Sequence, residues 1–137
     1  MVRVIEAGHE ETLPVGTERI LFVDDEECIA ETCGELLEYQ GYSVTCVTSS
    51  LKALEIFKAN PESFDLVFTD QTMPNLTGSE MSKAMLDINS DLSIVLCSGY
   101  SDSIDRSGAE SIGITAYIDK PMNMKSLFKV INELRPN

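Results

Sequence analysis

Residues 20–27 read ILFVDDEE, four bulky apolar side chains running straight into four acids. A strand that is apolar at every position, and not at every second one, is buried on both faces, as in a parallel sheet covered by helices. The pattern recurs: residues 64–70 read FDLVFTD, 93–98 read SIVLCS and 115–120 read TAYIDK, each an apolar run that ends on a polar residue. Ser43–Val47 reads as one more strand. Between these strands the period changes. Ile29, Cys33, Leu36 and Leu37 recur at helical spacing before Gly41, which ends that helix. Leu51, Leu54 and Phe57 mark one side of a helix over 49–59 with Ser49 or Ser50 as N-cap. Met81, Met85 and Ile88 place a helix over 78–89, a weak, glycine-containing one follows near 103–112, and 124–134 is the last. Strict strand–helix alternation predicts a doubly wound α/β fold: a five-stranded parallel sheet with helices on both faces.

The totals agree. A chain of 137 residues, 43% hydrophobic and 24% charged, fits one domain with a real core and leaves no room for a separate output domain. Residues 1–18 carry Gly8, Pro14 and Gly16 among charges without a period, which predicts an extended arm or linker before a domain over 19–137. No apolar run approaches the roughly 20 residues of a membrane span, and no leader peptide is visible, so the expected place is the cytoplasm, with no direct membrane contact. Twenty-three acidic against 10 basic residues give a net charge of −13, which repels a phosphate backbone and argues against direct nucleic-acid binding. Cys28, Cys33, Cys46 and Cys97 contain no C-x-x-C pair, so reduced, mostly buried thiols are expected, and neither zinc nor a disulfide framework.

In open α/β sheets ligands sit beyond the carboxyl ends of the strands. Here those ends carry Asp24 and Asp25 after the first strand, Asp70 after the third, Ser98 after the fourth and Lys120 after the fifth. A single acid there can merely cap the next helix. Three converging carboxylates repel one another unless a cation relieves them, and an oxygen-only donor set suits a hard ion such as magnesium. With a metal present one aspartate can attack phosphorus, Asp70 being the candidate. Lys120 would place a positive charge, and Ser98 a hydroxyl donor, against the phosphoryl oxygens. The lone histidine, His9, lies in the arm and reads as a bystander.

The blocks ILFVDDEE (20–27), DLVFTDQTMPNLTG (65–78), VLCSGY (95–100) and AYIDKP (116–121) resemble the receiver domain of two-component response regulators, from about Arg19 to the chain end. The resemblance implies a flavodoxin-like sheet of order 2-1-3-4-5. It implies Asp70 as phospho-acceptor and a Mg2+ or Mn2+ ion held by Asp25 directly, Asp24 chiefly through water, Asp70, and the backbone carbonyl of Thr72. It further implies Lys120 as the phosphate-binding lysine, a cis bond from Lys120 to Pro121, and Ser98 and Tyr117 as a switch pair. Thr72 and Tyr100 stand where such domains tune the approach of hydrolytic water, and Gly99 leaves the site open. The implied phosphoryl donor is a histidine kinase or phosphotransfer protein. The implied output is a downstream protein or dimer partner met by the last helices and strand, with Tyr117, Met122 and Phe128 contributing and Ile118 in the core. The arm around Glu10–Glu18 and the TDQTMP wording also resemble the linkers and receivers that end hybrid sensor histidine kinases, a stand-alone single-domain regulator being the other reading. A flavodoxin-like electron carrier is the alternative, but it needs a hydroxyl- and glycine-rich phosphate loop where this chain has Asp-Asp-Glu-Glu.

Overall fold

In the computed structural model, which describes residues 3–6, 9–12, 18–99, 106–119 and 123–134, the arm is not without regular structure. β1 (Arg3–Glu6) and β2 (His9–Thr12) pair antiparallel, Glu6 opposite His9, as a separate two-stranded sheet. The alternating pattern then unfolds as expected: β3 (Arg19–Val23), α1 (Glu27–Tyr39), β4 (Ser43–Val47), α2 (Ser50–Ala59), β5 (Leu66–Asp70), α3 (Gly78–Ile88), β6 (Ser93–Ser98), α4 (Arg106–Ile112), β7 (Ala116–Asp119) and α5 (Met124–Leu134). A 3₁₀ turn at Pro61–Ser63, started by its proline, precedes β5.

The five-stranded sheet has the order β4-β3-β5-β6-β7 and is parallel throughout, so the domain's strands run 2-1-3-4-5. Successive side chains of a strand point to opposite faces, and β3 shows it. Leu21 and Val23 join one core with Ala53 and Phe57 of α2, Met81 and Met85 of α3 and Ala109 of α4. Ile20 and Phe22 join the other with Ala30, Cys33 and Leu37 of α1 and Leu127 and Ile131 of α5. Phe22 and Phe68, register partners on β3 and β5, stack with centroids 4.5 Å apart.

Local chemistry sets the helix ends. Gly41, at φ 101°, takes the left-handed turn that stops α1. Ser49 accepts from the Lys52 N–H to start α2. Thr77 and Glu80 form a capping box at α3, a T-x-x-E signature worth about 1 kcal/mol.

Two expectations need correction. The buried side of α2 is Ser50, Ala53 and Phe57, with Leu54 packed partly against the core, and Leu51 is 51% exposed, because the core-facing stripe runs one position ahead of the one that Leu51 begins. The cysteines are not mostly buried: Cys33 and Cys97 are, whereas Cys28 and Cys46 are exposed, Cys46 because β4 is an edge strand. All four are free thiols, and burial, with the negative charge of Asp24, pushes Cys33 up to about 11, so it stays protonated.

Candidate functional site

The order of the strands creates the site. The chain turns to opposite sides of β3, so the carboxyl ends of β3 and β5 form the switch point of the sheet. Asp24 lies just past β3 and Asp70 closes β5, each one pleat beyond the stacked Phe22 and Phe68 on the same face. Both are buried, at 6% and 4% exposure, over that aromatic floor, and Asp25 beside them is exposed. One oxygen from each of Asp24, Asp25 and Asp70 lies within 4.8 Å of the others.

Burial drives the electrostatics. The Asp24 carboxyl is pushed up to about 6, chiefly by loss of water, and further by the charges of Asp70, Asp25 and Glu26. A 2.9 Å hydrogen bond from the Glu26 N–H to Asp24 Oδ1 opposes this in part and fixes the turn into α1. The Asp24 N–H donates to the Val47 carbonyl at 3.2 Å. Asp24 also borders a cavity of about 670 Å3 between α1 and the start of α5, walled by Phe68, Cys97 and Met124. Three carboxylate donors with no sulfur or nitrogen among them suit a hard divalent cation.

The segment after Asp70 is held close. The Gln71 N–H donates to the Cys97 carbonyl at 2.9 Å, and Gly78 returns the chain so near that a Cβ there would collide with the Asp70 carbonyl and meet Leu96 at 2.9 Å. Ser98, the last residue of β6, is fully buried one step beyond Cys97, the register partner of Asp70. Tyr117 pairs with Leu96 and packs half-buried into the α2–α3–α4 core, so by strand alternation Ser98 and Tyr117 share one face of the sheet.

The family model of the response regulator receiver domain matches residues 20–132. The chain belongs to that family. Among related receiver-bearing proteins, response regulator SaeR of Staphylococcus epidermidis is 30% identical over 115 residues, 84% of this chain and 49% of SaeR. The two-component response regulator ARR18 of Arabidopsis thaliana is 34% identical over 122 residues, 89% of this chain and 19% of its own length. The chain thus spans about half, or about a fifth, of these relatives. A receiver domain protein of Clostridium thermocellum superposes with TM-score 0.79 at 32% identity, over 85% of this chain and 92% of that one. TrrA of Thermotoga maritima, solved in complex with Mg(2+)-BeF, does so with TM-score 0.75 at 30% identity, over 87% of this chain and all of that one (100%).

The receiver fold therefore brings Asp24, Asp25 and Asp70 together, and Ser98 ends the adjacent strand one residue past the register partner of Asp70. Lys120, Pro121, Tyr100 and Met122 lie outside the described residues. Phe128 is half-buried against the α1–α5 core, and Ile118 is buried in it. Sequence reasoning passed over Gln71, which is 1% exposed and bonded at both ends of its amide; no spacing rule links it to its partner eight residues on. None of the helices among the described residues is long and apolar enough to cross a membrane.

Proposed function

We propose that Asp70 accepts a phosphoryl group from a histidine kinase or phosphotransfer protein, beside a divalent cation held by Asp25, Asp24, Asp70 and the backbone carbonyl of Thr72. The observation that carries this is the gathering of three carboxylates within 4.8 Å, two of them buried, at the switch point of a receiver sheet. Magnesium, or manganese in its place, would neutralise the acids and the incoming phosphoryl oxygens. The histidine N–P bond of the donor breaks as a bond from an Asp70 carboxylate oxygen to phosphorus forms, and the imidazole picks up a proton from water. Lys120 places its ammonium against one phosphoryl oxygen and Ser98 its hydroxyl against another. The complex of TrrA with Mg(2+)-BeF, at 30% identity, supports this reading.

Ser98 drawn toward the phosphoryl group leaves room for Tyr117 on the same face, so a local charge change biases the surface of β7, α5 and the half-buried Phe128 toward a downstream protein or a second copy. Thr72 and Tyr100 govern how water reaches the acyl phosphate, and the domain catalyses only its own phosphorylation and dephosphorylation in the cytoplasm. Residues 1–18 serve as the linker of a receiver over 19–137, in the manner of the last domain of a hybrid kinase.

Intact mass after incubation with Mg2+ and phosphoramidate should rise by one phosphoryl group. The same rise in Asp70→Asn, or an undiminished one in excess chelator, overturns the assignment. Ser98→Ala should still accept phosphate but lose the shift of NMR signals around Tyr117.

A further inference from the structure

The residue after the acceptor is locked at every polar atom. The Gln71 N–H donates to the Cys97 carbonyl at 2.9 Å, and its carbonyl accepts from the Gly78 N–H at 2.9 Å. Its side-chain Nε2 donates to Ser79 Oγ at 3.0 Å, and its Oε1 accepts from the Ser79 N–H at 2.8 Å. The Gly78 and Ser79 N–H groups belong to the first turn of α3, where the helix itself offers no acceptor. Gln71 thus ties the end of β5 to the start of α3 across the intervening segment 72–77. That segment begins with exposed Thr72, drops Met73 into the core, and turns at Asn75, whose φ is 71°.

We infer that Gln71 is the positioning residue of the cation site: its two-point amide clamp on Ser79 sets the backbone at Thr72, whose carbonyl it presents to the metal, without touching the metal itself. This rests on the reading of Asp70 and Thr72 above. A backbone carbonyl has no rotamers of its own, so its direction is decided by the chain on either side. On the Asp70 side the chain is the last residue of a strand, held at 70 and 71 by β6. Without the amide clamp the base of the loop would keep the Gly78 contact and lose both ties that fix the side chain of Gln71 to Ser79. Partners that orient a ligand without binding the metal typically change affinity by about 10–100-fold when removed.

Gln71→Met keeps length and burial while deleting both amide contacts, and Ser79→Pro removes the N–H and the hydroxyl at a first-turn position where proline fits. Ser79→Ala is the mildest cut, keeping the N–H tie to Gln71 Oε1 and losing the hydroxyl's contacts with Gln71 Nε2 and Thr77 Oγ1. Phe57→Leu, a core position of α2, serves as a variant destabilised away from the site. Calorimetric titration with Mg2+ should show binding weakened about tenfold in Gln71→Met and Ser79→Pro, less in Ser79→Ala, and unchanged in Phe57→Leu. Phosphorylation by phosphoramidate should slow at low Mg2+ and recover at saturating Mg2+, which a mere loss of folding would not do. Wild-type Mg2+ affinity in the Gln71 and Ser79 variants, or equal weakening in Phe57→Leu, overturns the inference and leaves the acceptor assignment standing. A wild-type protein without Mg2+-dependent phosphorylation overturns both.

Discussion

At the amino ends of β3 and β5 a carboxylate meets a cation; at the carboxyl ends of the same two strands carboxylates meet one another. Asp65, just before β5, takes the Arg19 guanidinium at 3.2 Å and the Arg19 N–H at 2.8 Å. That hydrogen-bonded partner holds its carboxyl below the ordinary value. Asp24 and Asp70 instead stand buried, and Asp24 is pushed up to about 6. One end is arranged for rest, the other for a visitor: the repulsion left at the carboxyl end is what a divalent cation would relieve.

The contrast breaks most sharply in chemistry. Asp70→Asn should abolish phosphorylation by phosphoramidate and Mg2+, whereas Asp65→Asn should retain it, both read by intact mass. Equal loss in both would mean that the two ends do not differ in function.

The next effect is on stability. Without metal, Asp24 holds its proton in the folded state up to about 6 but in the unfolded chain only to 3.8, so the folded state binds more protons between those values. Its contribution is therefore full below pH 3.8 and is lost as pH rises through about 6, a shift on the order of 3 kcal/mol. Asp65 works with the opposite sign: its contribution is full above 3.8 and lost as pH falls through its depressed value. Asp24→Asn should accordingly raise metal-free stability at pH 7 by roughly 1–3 kcal/mol and flatten the fall between pH 4 and 7, as read by urea titration. A wild-type curve in the mutant would put the strain elsewhere.

Within the carboxyl end the neighbours should differ too. On the proposed ligand set, in which Asp25 binds the ion directly and Asp24 through water, Asp25→Asn should weaken Mg2+ more than Asp24→Asn; identical affinities by calorimetry would contradict that division. The smallest effect belongs to the amino end. Arg19 and Asp65 are 48% and 42% exposed, so water screens the pair, and Arg19→Ala should change stability little in urea titration and leave Mg2+ affinity untouched.

Much of this was legible in the chain. The uninterrupted apolar runs of β3, β5 and β6 announced a doubly covered parallel sheet, and the acids at their ends announced the site, because composition at a strand end survives any packing detail. Where a helix turns its sides was less legible. Leu36, Leu51 and Ile88 fit the helical period and are 41%, 51% and 43% exposed, since a stripe of apolar residues names a face only to within one residue's rotation. The paired strands Arg3–Glu6 and His9–Thr12 carry no alternation to betray them.

By itself the sequence determined the alternation of elements, the parallel sheet and the identity of the three carboxylates, all properties of residues near one another in the chain. Tertiary structure alone decided that Asp24 is desolvated while adjacent Asp25 is exposed, and that Ser98 and Tyr117 share a face. It also decided that Gln71 clamps Ser79. These depend on which strands lie side by side and on how much water reaches each group, and both are set by packing between segments that no local pattern connects.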